Sequence, residues 1–284
     1  MCRRASELAS SYMDRVPSPS RFFWQRLYPA YRSWVAALSA AHPVVGVPSD
    51  LWVLDDLAAV LYLYLRVHGV EGVRRYRHIF VDEAQSLSPL WLVVLKSLLL
   101  PGGPITLAGD VYQLSVSVFG AVFGGGSWRW ARAVLGRDCG LGHLSVSYRS
   151  PAEIVELGCR VLRRSGITVD VRAVREEEGC VRVVSHLADF ADFLARHPEV
   201  RSAAVICLFP EAAERAEQVL RELSAEARLN GRLEVLTVDG VGGAEFDAVL
   251  VPAVSDLWKP EVARAMYTAV SRAGHYLFVY KPQG

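Results

Sequence analysis

The chain predicts an α/β fold built on parallel sheets, and two observations carry that expectation. Short apolar runs bounded by turn residues recur at 78–81, 105–108, 143–147, 181–185, 203–208, 233–238, 248–254 and 276–280. Helical stretches at 152–165, 187–196 and 211–229 fall between them. Strands alternating with helices pair as parallel neighbours through helical crossovers. The length of 284 residues allows about two domains, each able to bury its own core.

Residues 1–50 are helix-prone and rich in aromatics and prolines, with no strand leading into a glycine-rich turn. Leu51, Leu54, Leu57, Ala58, Leu61 and Leu65 then recur at helical spacing, giving an amphipathic helix capped by Ser49 or Asp50 and ending near Gly69. The strand and helix signals above follow in order. The glycine-bearing stretch 120–142, with Gly124, Gly125, Gly126, Gly136, Gly140 and Gly142, reads as the connection between two domains. The predicted division is 1–135 and 136–284.

Composition narrows the function classes. Apolar residues make up 52% of the chain, yet the run 57–65 ends at Arg66 and the run 90–100 is broken by Lys96. Neither reaches the roughly 20 residues that a membrane span needs. The start, Met1-Cys2-Arg3-Arg4-Ala5, passes into polar residues rather than an apolar core, unlike a signal peptide. The expectation is a soluble cytoplasmic protein with no membrane partner. A net charge of +1 leaves any nucleic-acid contact to a local patch. Cys2, Cys139, Cys159, Cys180 and Cys207 include no Cys-x-x-Cys pair, so reduced thiols are expected rather than a zinc or iron–sulfur site.

Five segments bear on chemistry: Ile79-Phe80-Val81-Asp82-Glu83-Ala84-Gln85, Leu107-Ala108-Gly109-Asp110-Val111-Tyr112-Gln113, Leu144-Ser145-Val146-Ser147-Tyr148-Arg149-Ser150-Pro151, Gly243-Ala244-Glu245-Phe246-Asp247 and Met266-Tyr267-Thr268-Ala269-Val270-Ser271-Arg272-Ala273. Asp82 and Glu83 follow an apolar strand, where α/β sheets place their ligands. Arg149 and Arg272 supply planar forks that stay protonated and bind phosphate oxygens bidentately. In this order the segments resemble motifs II to VI of the UvrD/Rep-type superfamily 1 DNA helicases, over roughly 52–280. The resemblance implies two RecA-like lobes, the first incomplete, using ATP and Mg²⁺ on single-stranded DNA.

The same resemblance assigns roles. Asp82 would hold Mg²⁺, and Glu83 would polarise the attacking water. Gln113 would sense the γ-phosphate, with Asp110 closing the turn beside it. Arg149 and Arg272 would be the two arginine fingers. Tyr148 would stack on the adenine, and Gly243 and Glu245 would lie at the nucleotide, Glu245 on the ribose hydroxyls. Thr237 stands where the family touches DNA phosphate, and equally suits a strand end.

Departures from the family pattern are as informative. A nucleotide-gripping P-loop needs Gly-x-x-x-x-Gly-Lys-Ser/Thr, whose amides and lysine hold the phosphates. The only lysines, Lys96, Lys259 and Lys281, lie outside glycine-rich turns. The chain is therefore expected to begin partway through the first motor lobe. Val116, Val118 and Phe119 occupy the positions where the family carries stacking aromatics, and Gly242 and Ala244 replace a lysine and a leucine. The large subdomain that UvrD/Rep helicases insert between motifs IV and V has no room here, and in this the chain resembles the HelD-like branch that acts on RNA polymerase. The cluster Arg21-Phe22-Phe23-Trp24-Gln25-Arg26-Leu27-Tyr28, with Tyr31, Arg32 and Trp34, suits either stacking on nucleic acid or docking of a protein. Two readings stay open. One is a helicase fragment or split subunit completed by a P-loop-bearing partner chain; the other is a catalytically inactive interaction module.

Overall fold

The computed structural model describes residues 54–113, 128–136, 138–208, 212–214, 233–254 and 256–281. The positions of the N-terminal aromatic cluster, of Val116, Val118 and Phe119, of the Gly124 to Gly126 run and of most of the expected helix 211–229 lie outside these residues. Two compact units emerge: Met1–Val111 with Ser115–Leu141, and Tyr112–Leu114 with Gly142–Gly284.

In the first unit, helix α1 (Leu54–His68) stops at Gly69, whose φ of 71° lets its N–H return to the Leu65 carbonyl. A residue in this left-handed region is the usual helix stop, and glycine adopts it without a side-chain penalty. Strand β1 (Ile79–Val81) pairs in parallel with β2 (Ile105–Leu107), Ile79 opposite Ile105. Between them runs α2 (Pro89–Ser97), which packs against α1. Ser88 caps α2 by accepting the Trp91 N–H, and Pro89 occupies its first turn, where a missing N–H costs nothing. A further helix, α3 (Arg129–Leu135), is fastened to α2 by the Lys96 ammonium on the Val134 carbonyl.

The second unit opens with β3 (Val146–Ser147), helix α4 (Ala152–Arg164) and β4 (Arg172–Ala173), β3 and β4 pairing in parallel. There follow β5 (Val181–Val184), α5 (Leu187–Arg196), β6 (Ala203–Cys207), β7 (Leu233–Thr237), β8 (Phe246–Pro252), α6 (Pro260–Val270) and β9 (Ala273–Tyr280). Five of these strands form one sheet in the order β5-β9-β8-β6-β7, every pair parallel. The α/β architecture with parallel sheets is thus what the sequence predicted.

Burial explains the order. Every residue of the interior strand β6 is buried, whereas β5, at an edge, has its two middle residues exposed and none buried. A strand covered on both faces reads as a continuous apolar run, as Ala203-Ala204-Val205-Ile206-Cys207 does. Phe190, Phe193 and Leu194 of α5 pack with Val205, Leu250 and Phe278 into one core. Phe278 lies 4.9 Å from Phe190 and 4.8 Å from Phe193, centroid to centroid. Burying each such ring is worth roughly 1.5–3 kcal/mol. On the other flank α4 packs against α6, and Gly158 makes this close, since a Cβ there would stand 3.2 Å from the Tyr267 ring.

Glu153, in the first turn of α4, ties the start of β5 into the unit. Its carboxylate accepts the backbone N–H groups of Gly179, Cys180 and Val181, at 3.2, 2.8 and 3.1 Å. These bonds, that from Val181 foremost, hold the Glu153 pKa below its ordinary value. A carboxylate with a depressed folded pKa adds stability that is present above its unfolded pKa of about 4.3 and is lost as pH falls through the folded value. Glu153→Gln is therefore expected to lower the Tm at pH 7, the gap to wild type closing as the pH drops below about 4. Melting curves across pH 3–7 check this; a gap independent of pH would contradict it.

Candidate functional site

Asp82 and Glu83 follow β1 at its carboxyl end. Asp82 is exposed, and its Oδ1 accepts the Glu83 N–H at 2.9 Å. Glu83 has φ 50° and ψ 37°, the one non-glycine with positive φ among the described residues. Such a conformation costs on the order of 1–3 kcal/mol and persists only where the surroundings impose it. Gln85, buried just beyond, does so: its Nε2 donates to Glu83 Oε2, and its Oε1 accepts the Asp110 N–H at 3.2 Å. The Ala84 N–H meets the Ala108 carbonyl at 2.9 Å. The Asp82–Gln85 segment and the Gly109-Asp110 turn are therefore one hydrogen-bonded assembly.

Gly109 is required by this closeness. A Cβ at that position would stand 2.2 Å from Gln85 Oε1 and 3.0 Å from the Ala84 nitrogen. Any larger residue expels the Gln85 amide and leaves the Asp110 N–H and the Glu83 carboxylate unheld.

Tyr112 and Gln113 group with the second unit. Tyr112 packs edge-on to Tyr267 at 6.2 Å, and Gln113 Oε1 accepts from Arg272 Nη2. Arg272 is buried, 3% exposed, between α6 and β9. A buried guanidinium must meet acceptors, and the Gln113 amide provides one.

Arg149 follows β3. Its Nη2 donates to the Ser271 carbonyl at 2.8 Å, and its Nη1 pairs with Glu245 Oε1. Glu245 immediately precedes β8, and Arg272 immediately precedes β9, so both stand at the amino ends of strands whose registers match at Phe246 and Ala273. Ser150, buried, donates its hydroxyl to the Ala273 carbonyl at 2.8 Å. Gln113, Arg149, Glu245 and Arg272 are thus brought into one neighbourhood. Tyr148, adjacent to Arg149 in sequence, is 74% exposed. Gly243 lies in the exposed turn before Glu245.

Two residues belong elsewhere. Thr237 ends the edge strand β7, at the carboxyl end of the parallel sheet, whereas Glu245 and Arg272 stand at the amino ends of β8 and β9. Asp247 is an internal tie: its Oδ2 accepts the Arg201 and Ser202 N–H groups at 2.7 and 3.0 Å, while its own N–H meets Ser202 Oγ.

Sequence reasoning left Gln85, Ser150 and Arg175 without roles. Arg175 places Nη1 on the carbonyls of Arg149 and Gly274, the latter at 3.0 Å. It grips Glu177 with two bonds of 2.9 and 2.7 Å and sets Nη2 2.9 Å from His275 Nδ1. Its only sequence signal is the charge run Arg175-Glu176-Glu177-Glu178, which reads as a solvated turn.

Cys159, Cys180 and Cys207 are buried and not in disulfides, and burial pushes the Cys207 thiol pKa up to about 11. Such thiols are packing residues rather than nucleophiles. Among the described residues no helix is long and apolar enough to cross a membrane.

Comparison with known proteins places these observations beside solved structures. No family model matches the chain, and no curated protein sequence matches it. Among solved structures it is similar to the PRRSV helicase, at 19% identity and a TM-score of 0.41, over 72% of this chain and 34% of that one. It is also similar to the arterivirus nonstructural protein 10 helicase in complex with DNA, at 19% identity and a TM-score of 0.42, over 72% of this chain and 39% of that one. A third is the C-terminal domain of a possible DNA helicase from Lactobacillus plantarum, at 22% identity and a TM-score of 0.36, over 48% of this chain and 88% of that one. The chain spans between a third and two fifths of the viral chains' length.

Proposed function

We propose that the chain is a fragment or split subunit of an ATP-dependent superfamily 1 DNA helicase or translocase of UvrD/Rep type, with two RecA-like lobes of which the first is incomplete. The observation that carries this reading is the grouping of Gln113, Arg149, Glu245 and Arg272, which come from four separate segments. A solvated turn or a surface charge explains any one of them alone. It does not explain a buried arginine held by the glutamine of a motif 159 positions away.

The residues fit a magnesium nucleotide. Asp82 presents an exposed carboxylate at a strand's carboxyl end, the hard oxygen donor that Mg²⁺ takes alongside phosphate oxygens. When bound, the ion would neutralise charge on the transferring phosphoryl group. Glu83, clamped by Gln85, would orient the attacking water and accept its proton. Arg149 and Arg272 would stabilise equatorial phosphoryl oxygens, and Gln113 would report their position to the DNA-binding surface. Tyr148 would stack on the base, with Glu245 and Gly243 at the ribose. Because Arg149 and Glu245 hold each other, nucleotide must part them before either can act.

What this chain lacks is the phosphate grip. Lys96 is engaged with the Val134 carbonyl and Lys259 with Asp256, so neither stands in a phosphate cradle. This is compatible with completion by a P-loop-bearing partner chain. It equally supports the second reading, an inactive helicase-like interaction module of HelD-like or partner-binding kind. On either reading the chain alone is expected to hydrolyse ATP negligibly, with or without single-stranded DNA. Steady-state phosphate release checks this, and turnover on the order of 1 s⁻¹ or faster would contradict it.

A further inference from the structure

We infer that Arg175 is the positioning residue of the arginine pair, fixing Arg149 relative to the turn that carries Arg272. The inference rests on the nucleotide-site reading above for its consequence, but not for its geometry. Arg149 lies two residues past the end of a two-residue strand, outside any helix or strand. Arg175 holds that segment by placing one guanidinium nitrogen on both the Arg149 and Gly274 carbonyls. Gly274 lies two residues beyond Arg272, so this nitrogen links the turns that carry the two arginines.

The fork is itself held on its remaining sides. Glu177 takes Nε and Nη2 together in a bidentate pair, and His275 Nδ1 accepts from Nη2. The carbonyl of Arg175 accepts the Ala152 N–H at 2.7 Å, anchoring the first turn of α4 to the same point. Lysine cannot replace this arrangement. An ammonium offers three donors around one point, whereas these acceptors are spread over the edge of a plane. With Arg175 removed, the Arg149 backbone would lose its fixed distance from the Ser271 carbonyl and from Glu245, and its guanidinium would sample several poses.

The test reads Arg149 directly, on the chain as it stands and without nucleotide. In ¹H–¹⁵N spectra of the arginine Nε–H groups, the Arg149 signal is assigned by its loss in Arg149→Lys, and Glu245→Ala gives its position when the fork is unpaired. Arg175→Ala and Arg175→Lys are both expected to move the Arg149 signal toward that unpaired position or broaden it away. Glu177→Ala, which leaves Arg175 in place but loosens it, is expected to move it part of the way and covers the case in which the Arg175 variants fail to fold. Folded variants with a lowered Tm and an unmoved Arg149 signal would overturn the inference, leaving Arg175 a structural brace. A moved signal combined with no ATP hydrolysis in any reconstitution would uphold the positioning role and refute the catalytic reading alone.

Discussion

Changing Arg272 to Ala is expected to lower turnover about 10³-fold or more, in ATP hydrolysis restored by a P-loop-bearing polypeptide, the scale on which a transition-state arginine acts. The guanidinium is buried and oriented by Gln113, so it is pre-placed rather than recruited from solvent. A preorganised charge in a water-excluded site costs no reorganisation at the moment of reaction, which makes its removal expensive. Arg272→Lys should recover little, because a single ammonium cannot span two phosphoryl oxygens while keeping the Gln113 contact. Single-turnover rates on variants shown by circular dichroism to be folded provide the check. Turnover within a few-fold of wild type would mark Arg272 as a packing residue.

Glu83→Gln should be nearly as damaging, by roughly 10²- to 10⁴-fold in turnover, the range for loss of a general base. It should leave nucleotide binding intact, since the amide keeps the size and the Gln85 contact but cannot take a proton from water. The backbone conformation at Glu83 gives independent reason to single it out. A glutamate held in the left-handed region is a local cost, and such costs concentrate where geometry serves function. Equilibrium binding of a fluorescent ATP analogue, set beside turnover, separates the two effects. A loss of binding equal to the loss of turnover would assign Glu83 to nucleotide binding instead.

Much of this was legible in the sequence, for physical reasons that differ by element. The runs at 203–208 and 248–254 announced β6 and β8 because strands buried on both faces are continuously apolar. Helices α4 and α5 showed themselves by one-sided burial with period 3.6. Strand β4, only Arg172–Ala173, carried no pattern long enough to read. Helix α2 was seen only as an apolar run, because a helix apolar on most sides hides its period. Pro260 and the spacing of Val262, Ala263, Met266 and Val270 would have shown α6, had the proline been taken as a helix start.

The candidate site divides in the same way. Asp82, Glu83, Gln113, Arg149, Glu245 and Arg272 stand in short motifs, which single them out as candidates from the sequence alone. Gln85 and Arg175 act through backbone groups far away in sequence, at Asp110, Arg149 and Gly274. No local pattern marks a side chain whose partner is a carbonyl or an amide 25 to 99 residues off.

The central claim is that this chain carries the hydrolytic half of a nucleotide site and lacks the grip. Its most direct test is phosphate release from the chain mixed with a P-loop-bearing helicase polypeptide, in particular one encoded beside it, with and without single-stranded DNA. The account predicts hydrolysis that neither polypeptide shows alone, stimulated by the DNA and abolished by Glu83→Gln. A mixture that binds but stays inactive, or activity indifferent to both Glu83 and Arg272, would contradict it and leave the interaction module standing.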